Sequence, residues 1–128
     1  MKYLLDTHIF LWWITDAPKL KQNIRDLISD KKNTLLLSSA SIWEMMIKSN
    51  LNKLDLPDNP RLFIKEQVAL NSIYILNVTF DHSLEVYGLP EIHKDPFDRM
   101  LIAQAGFEGL TIITTDSLIT QYNVSTYP

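Results

Sequence analysis

Lys2-Tyr3-Leu4-Leu5-Asp6 and Gly109-Leu110-Thr111-Ile112-Ile113-Thr114-Thr115-Asp116 share one pattern. Each is a short apolar run that ends at or near an aspartate. Such runs, apolar without alternation, suit strands covered on both faces, as in a parallel sheet under helices. Working outward, Asn33–Ser38 (with Thr34-Leu35-Leu36-Leu37) and Ile73-Tyr74-Ile75-Leu76 read the same way, as buried strands. Val124-Ser125-Thr126 supplies a short fifth.

Helical segments lie between the strands. Thr7–Trp13 is one, and Ala17-Pro18 opens another that runs to about Asp30, with proline near the first turn. Ser41–Ser49, Pro60–Asn71 and Thr79–Gly88 follow. Asp95-Pro96 opens a helix in which Phe97, Met100, Leu101, Gln104 and Ala105 recur at helical spacing. Asp116–Gln121 is a short last one, and Asn50–Pro60, with two prolines, is a loop. Strands alternating with helices predict an α/β fold: one central, mostly parallel sheet of about five strands, flanked by helices on both sides.

The 128 residues are expected to form a single domain, 1–128. Apolar residues make up 46% and charged residues 21%, which excludes a disordered or low-complexity chain. The chain has no cysteine, which excludes thiolate metal sites and a cysteine nucleophile and fits a cytoplasmic protein. No apolar run is long enough to span a bilayer, so no membrane partner is expected. Residues 1–65 carry 10 Lys+Arg against 7 Asp+Glu (+3), and residues 66–128 carry 2 against 8 (−6), which sum to the net −3. A general nucleic-acid coat protein would be basic throughout.

Four acids stand out by position. Asp6 and Asp116 end strands, and ligands of open α/β sheets bind beyond such carboxyl ends. Glu44 lies among Ile42, Trp43, Met45 and Met46, and Asp98 beside Phe97, Met100 and Leu101. Burying a charge among apolar neighbours is costly without compensation. Sharing one crevice, the four would raise one another's pKa unless a cation neutralised them. Oxygen donors without Cys or a His cluster favour Mg²⁺ or Mn²⁺ over Zn²⁺. The alternative for each acid is structural: Asp6 and Asp116 as helix caps, Glu44 and Asp98 as partners of helix dipoles.

Leu5-Asp6-Thr7-His8, Ser41-Ile42-Trp43-Glu44, His93-Lys94-Asp95-Pro96-Phe97-Asp98-Arg99-Met100-Leu101-Ile102-Ala103-Gln104-Ala105 and Ile113-Thr114-Thr115-Asp116 together resemble PIN-domain ribonucleases. The similarity is greatest to the VapC-like toxins of type II toxin–antitoxin systems, and it extends over essentially the whole chain. It implies an Mg²⁺- or Mn²⁺-dependent endoribonuclease that hydrolyses RNA with activated water, leaving 5′-phosphate and 3′-hydroxyl ends. It also implies inhibition by a cognate antitoxin and a homodimer. Carried over by position, the catalytic and metal-holding acids are Asp6, Glu44, Asp98 and Asp116, with Thr7 and Thr114 in support. Asp95 then reads as the N-cap before Pro96, and Arg99 as a phosphate contact or a structural partner of Asp95 or another acid.

Two other classes fit less well. A dehalogenase-like phosphatase needs a second aspartate where His8 stands, and a receiver domain needs paired acids near the first strand and a late lysine. A PIN-like module that binds a partner without chemistry is the other alternative. Elsewhere, Phe10-Leu11-Trp12-Trp13-Ile14 is core or a partner surface. His82 reads as surface, and His8 and His93 as neighbours of the pocket acids. Lys19, Lys21, Arg25, Lys31 and Lys32 read as a basic helix with its tail.

Overall fold

Five strands form one sheet in the computed structural model, which describes residues 1–57 and 59–128. They are β1 (Lys2–Leu5), β2 (Thr34–Ser38), β3 (Tyr74–Leu76), β4 (Thr111–Ile113) and β5 (Thr126–Tyr127). The spatial order is β3-β2-β1-β4-β5 and every pairing is parallel. The helices are α1 (Thr7–Ile14), α2 (Gln22–Ser29), α3 (Ser39–Asn50), α4 (Pro60–Leu70), α5 (Phe80–Glu85) and α6 (Pro96–Glu108).

The chain builds outward from β1 through β2 to β3, then crosses back to lay β4 on the other side of β1. That reversal puts a topological switch point between β1 and β4, where the carboxyl ends of neighbouring strands diverge and leave a crevice. Successive side chains of β1 divide between two cores. Leu5 joins Ile9, Phe10, Ile24, Leu37, Met45 and Ile64 on one face. Leu4 joins Leu101, Ile102, Ala105, Ile112 and Ile119 on the other. This two-sided burial is why the strands read as unbroken apolar runs.

Local chemistry sets the element ends near the crevice. Ser38 caps α3 by accepting the Ala40 N–H at 3.0 Å. Asp95 caps α6, its Oδ1 accepting the N–H groups of Phe97 at 2.8 Å and Asp98 at 3.2 Å, with Pro96 in the first turn. Gly109 ends α6 at φ 69°, a left-handed conformation that costs glycine little.

Several expectations are corrected. The segment from Ala17 is not helical until Gln22, because the Arg25 guanidinium holds the preceding turn through the carbonyls of Ala17 and Leu20 and the Asp16 carboxylate. Lys19, Lys21, Lys31 and Lys32 therefore flank α2 rather than forming a basic helix face. β3 is an edge strand paired only with β2, and Tyr74 and Ile75 are exposed rather than buried. The expected last helix shrinks to a 3₁₀ turn at Ile119–Gln121, and the last strand falls at Thr126–Tyr127. His82 is wholly buried, not at the surface. Its Nδ1 accepts the Thr79 N–H, and its Nε2 lies 2.7 Å from Glu108 Oε2, so both ring nitrogens are satisfied inside the protein. The loop expectation for residues 50–60 includes Asp58, which lies outside the described residues.

Candidate active site

Asp6 leaves the end of β1 with only 4% of its surface exposed. It stands at the N-cap position of α1 but makes no side-chain cap. Instead its Oδ2 accepts the Thr114 hydroxyl at 2.8 Å across the switch point. The Thr114 hydroxyl oxygen in turn accepts the Asp116 N–H at 3.0 Å. One threonine after β4 thus fixes one acid directly and orders the turn that carries another. Thr7, also buried, donates to the Ser41 hydroxyl at 2.8 Å and ties the start of α1 to α3.

Glu44 sits in the second turn of α3, 3% exposed. Its Oε2 accepts the ammonium of Lys48, one turn on, at 2.7 Å. Asp98 lies in the first turn of α6. His93 Nε2 stands between two carboxylates, 3.0 Å from Asp98 Oδ2 and 2.9 Å from Asp116 Oδ2. His93 Nδ1 accepts the Asp95 N–H, which fixes the proton on Nε2, facing the acids.

The electrostatics follow from this crowding. Burial, then the charge of Asp6, then that of Asp95 push the Asp98 carboxyl up to about 7, with Glu44 adding to the effect and His93 opposing it. Burial also raises Asp6, against the Thr114 hydrogen bond. Burial works against a charged His93, yet the hydrogen bond to Asp116 and the charges of Asp98 and Asp116 outweigh it and raise the imidazole. Burial works against the Asp116 carboxylate too, and the His93 hydrogen bond with the Leu118 N–H more than offsets it, lowering the group.

Among the described residues, one group of donor atoms, from His93, Asp98 and Asp116, lies within 4.8 Å of one another. Asp6 and Glu44 stand outside that tight group while still acting on Asp98 through their charge. Asp6 Oδ1 and Glu44 Oε1 are buried carboxylate oxygens with no hydrogen-bond partner. Orphaned anionic oxygens at a crowded acidic site are costly without a cation. The carboxylate oxygens gathered here suit a divalent cation.

The sequence profile of the PIN domain matches residues 3–124. The chain belongs to the PIN domain family. The structure is similar to that of VapBC2 from Rickettsia felis bound to a DNA fragment from its promoter, with a TM-score of 0.75 and 17% identity over 99% of this chain and 98% of that one. It is also similar to FitAcB from Neisseria gonorrhoeae (TM-score 0.65, 16% identity, 98% and 96% covered). VapBC-1 from nontypeable Haemophilus influenzae is a third such structure (TM-score 0.63, 18% identity, 99% and 97% covered). No curated protein matches the sequence significantly.

Two residues of this PIN domain's pocket were missed or left open by sequence reading. His93 was a pocket neighbour without a role, because a single histidine carries no ligand spacing. Lys48 was overlooked, and its only signal was the i,i+4 step from Glu44. Arg99 donates to the carbonyls of Pro90 and Val86 and to the Tyr122 hydroxyl. His8 is exposed at the rim. The Phe10–Ile14 stretch splits, with Phe10 fully buried and Leu11, Trp12, Trp13 and Ile14 half-buried.

Proposed function

We propose that this PIN domain is a cytoplasmic, metal-dependent endoribonuclease of the VapC toxin type, held inactive by a cognate antitoxin and acting as a homodimer. The observation that supports it best is the pair of orphaned carboxylate oxygens, Asp6 Oδ1 and Glu44 Oε1, in a pocket where burial and the neighbouring acids raise Asp98 to about 7. The similarity to toxin–antitoxin complexes supports the antitoxin partner. No helix among the described residues is long and apolar enough to cross a membrane.

Asp6, Glu44, Asp98 and Asp116 would hold one or two Mg²⁺ or Mn²⁺ ions, with His93 beside Asp98 and Asp116 keeping its Nε2 proton. Such a cation supplies the charge that keeps the acids ionised and acidifies water beside the scissile phosphate. Thr114 holds Asp6 in one orientation through its hydroxyl. Thr7 keeps the first turns of α1 and α3 at fixed distance. His93 keeps a proton on Nε2 toward Asp98 and Asp116, within reach of an oxygen atom of the substrate that needs one.

The test is RNA cleavage by the purified, antitoxin-free protein in Mg²⁺ or Mn²⁺, with EDTA and with Asp98→Asn in parallel. Cutting that needs the metal, and that falls at least ~100-fold in the variant, is the expected result. Equal cutting by the variant would remove Asp98 from the chemistry. Absence of cutting and of calorimetric metal binding together would leave a binding module.

A further inference from the structure

Glu44 also lines a cleft of about 280 Å³ between α1 and the end of α3, walled by Thr7, His8, Lys48 and Lys53 and by one further acid, Asp55. Lys48 places its ammonium 2.7 Å from Glu44 Oε2. Its side chain is 41% exposed, whereas that of Glu44 is 4% exposed. An ammonium has three donors. One is spent on Glu44, and the part-exposed Lys48 side chain lines the cleft. Lys53 lines the same cleft and is exposed.

We propose that Lys48, with Lys53 beyond it, is the phosphate-binding rail of this site. In this reading Lys48 seats the backbone phosphate next to the scissile one and so sets where a single-stranded RNA enters. The inference rests on the ribonuclease reading and goes beyond it by naming the side chains that grip the substrate away from the reacting bond. Apart from His93 the acid pocket is anionic, and a polyanion entering it meets repulsion from Asp6, Glu44, Asp95, Asp98 and Asp116. A cation fixed at the edge of those acids offsets that repulsion at one point and gives the strand a direction. The bond to Glu44 restrains Lys48, so less rotamer freedom is lost when phosphate arrives. Lys48 is a positioning residue here, because it touches neither the attacked phosphorus nor the leaving oxygen.

The test measures binding of a short fluorescein-labelled single-stranded RNA by anisotropy across a salt series, in Ca²⁺ to occupy the acids while limiting cleavage. Each phosphate contact to single-stranded RNA contributes about 0.7 to the slope of log K against log salt. Lys48→Gln is expected to lower that slope by about 0.7 and to weaken low-salt binding about three- to ten-fold. Lys53→Gln should act in the same direction, and Lys48→Arg should keep the wild-type slope. Lys31→Gln, which removes the same charge from a different depression beside Trp13 and Asn71, should leave the slope unchanged. Thermal melts of each variant separate lost binding from lost folding, and Lys53→Gln carries the test if Lys48→Gln melts early. An unchanged slope in both Gln variants, or an equal drop in Lys31→Gln, overturns the rail while leaving the ribonuclease reading standing. Wild-type protein that binds no such RNA also overturns the rail, and the cleavage assay then decides the ribonuclease reading by itself.

Discussion

Asp98 sits where burial and three neighbouring acids, Asp6, Asp95 and Glu44, all oppose its charge. Its carboxyl stands near 7 in the folded protein, well above the ordinary carboxylate value. Between about pH 4 and 7 the folded state therefore holds a proton that the unfolded chain has released. Stability from this group is present at low pH and is lost as pH rises through 7. The metal-free protein is expected to be less stable at pH 8 than at pH 5, by an amount of order 1–2 kcal/mol from this residue. Asp98→Asn keeps the shape and removes the charge, so it should raise the melting temperature of the metal-free protein at pH 8 and flatten its pH dependence. Mg²⁺ should raise the wild-type melting temperature at pH 8 and have little effect on the variant, as read by differential scanning fluorimetry. Thr114→Val is a second probe at this scale. It removes the hydroxyl that orients Asp6 and leaves the Asp116 N–H without its acceptor. Losing a buried hydrogen bond to a charged group costs about 1.5–3 kcal/mol. Thr114→Val should therefore cut cleavage by more than ten-fold, and Thr114→Ser should restore most of it.

Helix α6 is where two readings of one acid separate. Asp95 and Asp98 are three residues apart, and composition does not say which belongs to the pocket. The structure gives Asp95 two backbone N–H partners, the work of an N-cap. Asn caps a helix about as well as Asp, while Ala loses about 1 kcal/mol. Asp95→Asn should therefore leave stability and cleavage near wild type, and Asp95→Ala should lower stability by about 1 kcal/mol, measured by urea unfolding. If Asp95→Asn abolishes cleavage while folding normally, Asp95 belongs with the acids that hold the cation. The same helix shows what the sequence could convey. Proline in the first turn, the aspartate before it and Gly109 after the last turn are local signals, and they mark both ends. The strands next to the pocket were equally plain, since Leu4, Leu5, Ile112 and Ile113 are buried and read as unbroken apolar runs. Failures came where tertiary contact overrides local pattern. Arg25 reaches back to hold Ala17–Leu20 as a turn, and His82 is drawn inside by Glu108 on a distant helix. The Lys48–Glu44 pair was visible as spacing but not as meaning, because i,i+4 pairs are common on solvated helix faces.

At the scale of the whole molecule, an apolar groove lies apart from the acids, between α3 and α6. It measures about 910 Å³ and is walled by Trp43, Val78, Val86, Pro96, Phe97 and Met100. Trp43 is 64% exposed and meets the Phe97 ring edge-on at 5.4 Å. Tyr87 and Phe80, on the adjoining α5 segment, are also exposed. Large apolar side chains gathered on one face are costly to leave in water and commonly mark a protein contact. A second copy packed there through a two-fold axis would cover the same residues on both chains, each losing about 800 Å² in an interface of ordinary size. Glu44 and Asp98 are the chain neighbours of Trp43 and Phe97, so the two pockets of such a dimer would be tied to the same pair of helices. Aromatic anchors near the centre of an interface typically carry 2 kcal/mol or more. Trp43→Lys, which places a charge on each side of the axis, is therefore expected to convert the protein from dimer to monomer in sedimentation velocity at micromolar concentration. Its melting temperature should become independent of protein concentration, whereas that of the wild type should rise with concentration. A Trp43→Lys protein that still sediments as a dimer would move the interface off this groove, and a wild-type monomer would leave the groove for a different partner. Lys31→Gln, away from the groove, should sediment as the wild type does.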